Sequence, residues 1–551
     1  MRPAAPSPYP LPQGEGGLVC ASLPSPCGRG LGGGGATSRR RLVALRGWRA
    51  DLAAFLAGLL AALALPPFHV LPALLVAVPV LLLLIEGARG PWVAVRRGWW
   101  FGFGLYLIGL YWITEAILIE AARLWWCVPF AVPALSALLA AFVAAAVGVA
   151  AFARPGWPRV LTLAGAWVLA DLARQFVATG FPWNLWGSVW EFPGRVGDVL
   201  IQPAALVGIH GLTLATVLLA GLPLLGWGFR SAGLALLAAW VAFGIVRTGA
   251  PAPPAPGLTA VMVQGDVAEG QKWSQALAGG IFRRYLALTR QGVAQAGDGK
   301  KVVIWPETAF PGLLGRDPEA RKMIAQAGAG APALIGSVRF DSQDRPRNTL
   351  FALTPGGDIA AVYDKWHLVP FGEYQPSWFP LPVQIVPGGG FAAGPGPETL
   401  RVPGLPPFAP LICYEAIFPS QVVYEADRPR WIVNITNDAW FGNSAGPRQH
   451  LAAARMRAVE EGLPLLRAAN TGITAAFDGR GHELSRLPMN RPGILVVGLP
   501  GALDRTPYAR VGLLLPLGLA AASVLGGLAA SARAAKSFSS SGTKQRLMEQ
   551  D

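Results

Sequence analysis

The chain has 551 residues, of which 53% are hydrophobic and only 14% charged, with a formal net charge of +15. Soluble globular proteins carry roughly 25% charged residues, so the composition argues against a wholly soluble chain, and the length favours more than one domain. The positive charge fits either a surface that binds nucleic acid or anionic lipid, or arginines that flank membrane helices. The arginines cluster at the ends of apolar runs, which favours the second interpretation and predicts no nucleic-acid partner.

The first segment, residues 1–44, is rich in Pro, Gly and Ser and has no apolar periodicity. Such a composition cannot build a packed core. It also lacks the basic start followed directly by an apolar stretch that marks a signal peptide. We therefore expect a disordered N-terminal extension.

Long apolar runs follow, and a membrane span needs about 20 apolar residues. The runs predict eight spans, at 50–66, 71–86, 99–119, 126–152, 158–174, 203–227, 231–247 and 509–530. The first seven define a membrane region at 45–250, with a long loop at 175–202. Residues 531–551 then form a tail after the eighth span.

The charges of the loops predict the orientation of these spans. Basic residues occur before span one and after spans two, four, six and eight. By the positive-inside rule both termini are cytoplasmic. The 175–202 loop and the segment at 257–500 are then periplasmic, on the outer face of a bacterial inner membrane. The tryptophans of the 175–202 loop suit a membrane–water interface.

The 257–500 segment has the composition of a soluble domain. Short apolar runs predict strands at 258–266, 301–308, 331–340, 348–355, 408–415 and 430–438, and longer amphipathic runs predict helices at 273–296 and 449–466. Alternating strands and helices indicate an α/β sandwich. The predicted fold is thus an α-helical membrane bundle with an α/β domain between its last two spans.

Polar residues end several of the predicted strands. Glu307 ends "VVIWPE", Lys365 follows "IAAVY" and Cys413 ends "PLIC". If these side chains converge, the thiol could act as a nucleophile, the carboxylate as its base and the ammonium as an oxyanion stabiliser, together with the backbone N–H after the cysteine. Spacing alone leaves simpler interpretations open, because Glu307 could cap the next segment and Lys365 could be a solvated charge.

Cys413 is the only cysteine in the C-terminal half of the chain. Proteins of oxidising compartments usually pair their thiols, so a lone thiol there is either a buried inert residue or a reactive one. From this observation alone inert packing is favoured.

The motifs "WPET", "DKWHLVPFGEY" and "ICYEAIFP" resemble, in this order, the Glu, Lys and Cys segments of the nitrilase superfamily. The eight spans and the stretches "KWHLVPFGEYQP", "CYEAIFP" and "NITNDAWFGNSAGPRQHLAAARMRAVEEGLPLLRAANTG" make the chain similar to its membrane-embedded branch, the bacterial apolipoprotein N-acyltransferase family, over about residues 45–530. The resemblance implies an αββα sandwich with a Glu-Lys-Cys triad.

By that resemblance Glu307 is the general base, Lys365 the oxyanion stabiliser and Cys413 the nucleophile. Four further residues match family positions near the site, and each could instead be packing or scaffolding: Trp273, Glu373, Tyr414 and Glu415. Three more matching residues are expected to shape the pocket: Asn437, Asp438 and Trp440.

The implied reaction is a two-step acyl transfer through a thioester on Cys413. The donor is a membrane phospholipid, phosphatidylethanolamine in the family, and the acceptor is the N-terminal amine of a diacylglyceryl-modified apolipoprotein. One alternative is a membrane-anchored nitrilase-type amidase, and another is a lipid-binding or transport protein with an inactive domain. No cofactor or metal is expected, because the five histidines are scattered and no CxxC is present.

Overall fold

The computed structural model describes residues 33–119, 121–272, 274–377 and 390–548. The predicted extension falls mostly outside this part of the chain. Its last residues, however, form helix α1 (Gly33–Ala44), so the prediction of disorder was wrong there. The segment "ATSRRRLVA" contains good helix formers, Ala, Arg and Leu among them. From Leu42 onward the chain forms one compact unit.

A helix lies at each of the first seven predicted spans, with short helices between some of them. Their bounds are α2 Gly47–Ala62, α3 Leu74–Glu86, α4 Pro91–Gly109, α5 Ile113–Ile119, α6 Ala121–Leu124, α7 Val128–Ala151, α8 Trp157–Phe176, α9 Gly194–Leu200, α10 Ala204–Gly221 and α11 Trp227–Gly249. The predicted span at 99–119 was wrong as a single helix, because α4 and α5 meet at an angle of 52°.

Length and hydropathy allow four helices of the described residues to cross a membrane, or five if α4 and α5 count as one bent span. The four are Trp125–Ala151, Ala204–Leu224, Trp227–Gly249 and Leu514–Ala534. Of the others, α2 is short, and α8 carries a buried ion pair between Asp171 and Arg174, 2.8 Å apart. The apolar helices support a membrane-bound protein, while the count of eight spans stays a prediction.

The 175–202 loop packs inside the protein. Its three tryptophans, Trp183, Trp186 and Trp190, are all buried, with at most 7% of their surface exposed. They pack in the protein core, because the loop lies between the helices and the α/β domain, and the position of this loop at a membrane–water interface stays a prediction. Trp186 packs against Trp167 of α8 in a tilted arrangement, with ring centroids 4.2 Å apart.

The α/β domain contains two sheets, with the order β11-β1-β2-β3-β4-β5 in one and β10-β9-β8-β7-β6 in the other. The strands are β1 Leu258–Gln264, β2 Lys300–Ile304, β3 Ala333–Phe340, β4 Pro346–Leu353, β5 Ile359–Asp364, β6 Phe408–Ile412, β7 Trp431–Thr436, β8 Leu465–Ala469, β9 Ala475–Phe477, β10 Glu483–Arg486 and β11 Gly493–Gly498. Strands were thus found at all six predicted runs and at "IAAVY", while β8 to β11 had not been predicted.

The helices of this domain are α12 Glu269–Lys272, α13 Gln275–Ala296, α14 Pro318–Ala327 and α15 Gly446–Glu461. The predicted helix at 449–466 ends early, because Gly462 adopts a left-handed conformation with φ +69° and caps α15. The next residues enter β8. After β11, the short helix α16 (Pro507–Val511) precedes α17 (Leu514–Met548), so the last span begins later than 509 and the 531–551 tail continues as a helix to Met548.

The two sheets face each other across one apolar core. Met262 and Ile304 of one sheet join Phe408, Val433 and Leu466 of the other in this cluster. Residues of α13 and α14 cover the outer face of the first sheet, and residues of α15 cover that of the second. The layers are therefore helix, sheet, sheet and helix, which confirms the predicted sandwich.

The sandwich also packs directly on the membrane helices. Tyr414, Ile417 and Phe418 belong to the same core cluster as the helices α2 to α11, and so do Met456 and Val459 of α15. The segment after β6 and the outer helix α15 therefore form the face of the α/β domain that meets the membrane region.

Candidate active site

Glu307 lies in the turn after β2, where it is 6% exposed. Its Oε1 accepts hydrogen bonds from Asn348 Nδ2 at 2.7 Å and from Lys365 Nζ at 3.3 Å, and its Oε2 accepts from the backbone N–H of Asn437 at 2.8 Å. The turn passes so close to β3 that a Cβ on Gly336 would lie 2.1 Å from the Pro306 carbonyl oxygen. Only glycine lets β3 hold this turn in place.

Lys365 directly follows β5 and is 1% exposed, so the interpretation as a solvated charge was wrong. Its ammonium contacts Glu373 at 2.9 Å as well as Glu307. Glu373 is itself fixed, because its Oε2 accepts from the backbone N–H of Val369 at 2.8 Å and its Oε1 from Asn348 at 3.0 Å. One lysine thus lies between two buried carboxylates.

Cys413 directly follows β6 and begins a short 3-10 helix, Cys413–Ile417. Its backbone is left-handed, with φ +53°, a conformation that residues with a Cβ rarely adopt. Its thiol is buried, and it lies close enough to Glu307 and Lys365 for both charges to affect its pKa. Such strain at a strand end is typical of residues whose position serves a function.

The charges determine where the proton lies at rest. Burial alone would raise the pKa of Glu307, but Lys365 and Lys272 lower it below its ordinary value. Burial alone would lower the pKa of Lys365. The charges of Glu307 and Glu373 outweigh burial, so the pKa of Lys365 is raised. Burial, and then Glu307, raise the pKa of Cys413. The resting site therefore holds a thiol, a carboxylate and an ammonium.

This arrangement can carry out nucleophilic catalysis on a carbonyl group. A thiol close to a carboxylate can lose its proton to that carboxylate as it attacks. A buried ammonium beside that carboxylate can stabilise negative charge on the carbonyl oxygen. The structure brings Glu307, Lys365 and Cys413 together, and this convergence favours the reactive interpretation of the thiol over inert packing.

Glu415 joins the ends of β5 and β6. Its Oε2 accepts from the backbone N–H of Ile412 at 2.6 Å, and its Oε1 accepts from the N–H of Trp366 at 2.8 Å and the hydroxyl of Tyr363 at 2.9 Å. Burial raises the pKa of Glu415 to about 7, although these donors oppose the shift. The carboxylate connects the residue before Cys413 to the residue after Lys365 and does not contact the thiol in these interactions.

Tyr414 points toward the membrane region. Its hydroxyl donates to the Gly180 carbonyl at 2.9 Å, and its ring lies 5.2 Å from that of Phe418. The residue next to the nucleophile therefore anchors the 175–202 loop. The predicted site residue Trp273 lies outside the described residues.

Two residues that contact Glu307 were missed from the sequence. Asn348, at the start of β4, bridges Glu307 and Glu373. Lys272, at the end of α12, is 4% exposed and donates to the backbone carbonyl of Glu307 at 3.1 Å. Neither had a signal in the sequence, although Lys272 directly precedes the matched Trp273.

A second group of polar side chains lies behind the nucleophile. His450 of α15 contacts the Cys413 carbonyl oxygen through Nε2 at 2.9 Å and Asp438 through Nδ1 at 2.9 Å. Arg467 of β8 reaches Asp438 at 2.7 Å. Burial alone would raise the pKa of Asp438, but Arg467 and His450 outweigh this effect and lower the pKa to about 2. His450, one of the five histidines scattered along the sequence, is thus part of the site.

Cys413, Asp438 and His450 offer ligand atoms within 4.8 Å of one another, so the described residues do contain a cluster of metal-ligand type. However, both ring nitrogens of His450 and both oxygens of Asp438 already have protein partners. The guanidinium of Arg467 also lies 3.2 Å from His450 Nδ1. A fixed cation at this distance disfavours a metal ion, so the cluster is better explained as a hydrogen-bond chain.

Of the residues expected to shape the pocket, Asn437 donates its backbone N–H to Glu307, and Trp440 lies in the 3-10 helix Asp438–Phe441.

Comparisons with known proteins agree with this architecture. Residues 57–222 match the apolipoprotein N-acyltransferase N-terminal domain family, and residues 263–508 match the carbon-nitrogen hydrolase family. An amidase from Nesterenkonia sp. matches over 46% of this chain and 93% of its own, with a TM-score of 0.35 and 18% identity. The two family matches together define a membrane-bound enzyme with a carbon-nitrogen hydrolase domain.

Two curated relatives specify the family. An apolipoprotein N-acyltransferase of Rhodopseudomonas palustris is 38% identical over 498 residues, covering 85% of this chain and 92% of the relative. One of Bradyrhizobium diazoefficiens is 40% identical over 529 residues, covering 89% and 96%. The chain belongs to the apolipoprotein N-acyltransferase family and is an acyltransferase.

Proposed function

We propose that this enzyme moves a fatty acyl chain from a membrane phospholipid, phosphatidylethanolamine by family resemblance, to an apolipoprotein. The acceptor is the α-amine of the diacylglyceryl-modified N-terminal cysteine. The observation that carries the proposal is the position of the nucleophile. Cys413 begins the segment whose next residues, Tyr414, Ile417 and Phe418, share one core with the apolar helices. Two lipid-anchored substrates need such a site at the membrane surface.

In the first step Glu307 takes the proton of Cys413 as the sulfur attacks the ester carbonyl. Lys365 and the backbone N–H of Tyr414 stabilise the oxyanion. When the intermediate collapses, the lysophospholipid oxygen leaves with the proton from Glu307, and a thioester remains on Cys413. Glu373 shares the charge of Lys365, and Glu415 holds the turn that carries Cys413. Trp273 matches a tryptophan that lies near the site in the family.

In the second step the acceptor amine attacks the thioester and gives up a proton to Glu307. Collapse forms the amide and returns the sulfur, which regains the proton. One site thus serves the donor and the acceptor in turn, which predicts ping-pong kinetics. The domain at 257–500 faces the periplasm in this proposal, and the chain is a multi-pass protein of the inner membrane.

Intact-protein mass spectrometry of the chain purified from membranes tests the proposal. Wild type is expected to carry a fatty-acyl adduct after incubation with mass-tagged phospholipid, and Cys413→Ser is expected to carry no hydroxylamine-labile adduct. If wild type forms no acyl-thioester but hydrolyses a small amide, the membrane-anchored amidase is the correct interpretation. Retained lipoprotein acylation by Cys413→Ala in a strain depleted of its own enzyme would instead favour a protein whose domain is not catalytic.

A further inference from the structure

The carbonyl oxygen of Cys413 is held from behind by one side chain. His450 is fully buried, and its Nε2 lies 2.9 Å from this oxygen. A backbone carbonyl can only accept a hydrogen bond, so Nε2 carries the proton in this contact. This holds both for the neutral ring protonated at Nε2 and for the imidazolium.

The ring itself is fixed from its other side. Asp438 Oδ1 and Arg467 Nη2 lie 2.9 and 3.2 Å from His450 Nδ1. Asp438 also accepts from Thr436 at 3.1 Å and from Arg467 at 2.7 Å. Trp183 packs against the imidazole, with ring centroids 5.7 Å apart. Asp438, His450 and Arg467 are all buried, so the ring has little freedom to rotate.

A planar trans peptide couples this carbonyl to the next N–H. The C=O of Cys413 and the N–H of Tyr414 belong to one peptide group and point in opposite directions. A donor that fixes the carbonyl toward α15 therefore fixes the N–H away from α15. Because Cys413 has the left-handed φ of +53°, which its neighbours must enforce, the peptide needs such a restraint on this side.

We propose that His450, held by Asp438 and Arg467, is a positioning residue that orients the Cys413–Tyr414 peptide so that its N–H faces the reacting carbonyl oxygen. Glu415 restrains the Leu411–Ile412 peptide through the N–H of Ile412, so the two residues hold the chain before and after the nucleophile. His450 itself touches neither substrate nor sulfur in this role. The inference rests on the proposed chemistry of Cys413.

Two reactions of the same thiol test the proposal. Thioester formation passes through an oxyanion, whereas alkylation by iodoacetamide does not. Both rates are measured in a background in which Cys20, Cys27 and Cys127 are serine. His450→Leu is expected to slow thioester formation on the order of 100-fold, the effect of losing one oxyanion donor, with alkylation changed less than about threefold. His450→Gln keeps an N–H donor and is expected to recover part of the thioester rate.

Thr474→Val is the matched control, because it removes another buried hydrogen bond, to Gln264 at 2.7 Å, outside the site. It is expected to leave the ratio of the two rates unchanged. An unchanged thioester rate in His450→Leu, a parallel fall of both rates, or no recovery in His450→Gln would overturn the proposal. If His450→Leu does not fold, Asp438→Asn decides by the same ratio. Absence of a thioester in the wild type would instead reject the proposed function.

Discussion

The charges around Lys365 are the most sensitive feature at the scale of single residues. The ammonium contacts two carboxylates, Glu307 at 3.3 Å and Glu373 at 2.9 Å, in a site almost closed to water. Two carboxylates this close repel each other unless a cation lies between them. The lysine is therefore both a candidate oxyanion stabiliser and the ammonium that contacts both glutamates.

Replacing Lys365 tests how much its ammonium group stabilises the fold. Lys365→Met is expected to lower the free energy of unfolding by about 3–5 kcal/mol, because it removes the buried ammonium that contacts both Glu307 and Glu373. Lys322→Met is the control, since Lys322 forms an exposed pair with Glu319 and should cost less than about 1 kcal/mol. Chemical denaturation in detergent compares the two variants. Equal small losses would contradict the buried-cluster argument.

Asn348 gives a prediction on the pH dependence of thioester formation. Its hydrogen bond helps to lower the pKa of Glu307 below the ordinary value of 4.5, after burial and the two lysines have acted. The base therefore stays ionised below pH 4.5, and the activity it supports is lost only as the pH falls through this lowered pKa. Asn348→Leu should raise that pKa and move the acid limb of the rate to higher pH.

The control for this shift is Thr349→Val, at the next position of β4. Thr349 donates to Asp364 at 2.7 Å rather than to Glu307, so its loss should leave the acid limb in place. Single-turnover thioester rates between pH 3 and 7 measure both variants. An acid limb at the same pH in Asn348→Leu as in the wild type, or an equal shift in both variants, would show that Asn348 does not lower the pKa of Glu307.

At the scale of elements, the sequence predicted where strands lie better than which strands and helices pack together. β2 and β6 were predicted as apolar runs, so Glu307 and Cys413 could be placed at strand ends before the structure was known. Asn348 and His450 come from β4 and α15, and their approach to the site depends on how strands pair and layers stack. No local pattern encodes those contacts, which explains why both residues were missed.

Errors in element bounds have equally local causes. The run "GLPLL" reads as a continuation of α15, but the left-handed Gly462 ends the helix and the chain turns into β8. The apolar run at 99–119 reads as one span, but the chain bends after Gly109. Hydropathy measures only how apolar a segment is, so it cannot locate a cap or a bend.

The link between β5 and β6 through Glu415 can be tested as an element contact. Glu415→Gln replaces one acceptor oxygen by an NH2 group, which cannot accept from Ile412 or Trp366. It is expected to lower the free energy of unfolding by about 1–3 kcal/mol, the usual cost of a buried donor left without a partner. Glu319→Gln, whose side chain is 76% exposed, should be nearly neutral. Equal melting temperatures of the two variants would argue against the link.

At the scale of the whole molecule, the ends of the last two membrane helices place the α/β domain on one side. α11 ends at Gly249 just before β1, and α17 begins at Leu514 just after α16. The domain therefore connects to the C-terminal end of α11 and the N-terminal end of α17, so the opposite ends of these helices point away from it. Those opposite ends carry Arg230 and Arg533, from which the positive-inside rule predicts that this side is cytoplasmic.

This orientation predicts which cysteines an impermeant maleimide can reach. Two single cysteines are introduced, each into a chain whose own four cysteines are replaced by serine. Arg401→Cys lies on the α/β domain, at a side chain that is 63% exposed. Gly228→Cys lies at the start of α11, where an added Cβ meets no atom within 4 Å. Spheroplasts should label Arg401→Cys while intact and Gly228→Cys only after lysis, because the bilayer blocks the charged reagent. Labelling of Gly228→Cys in intact spheroplasts would reverse the orientation, and with it the periplasmic placement of the site.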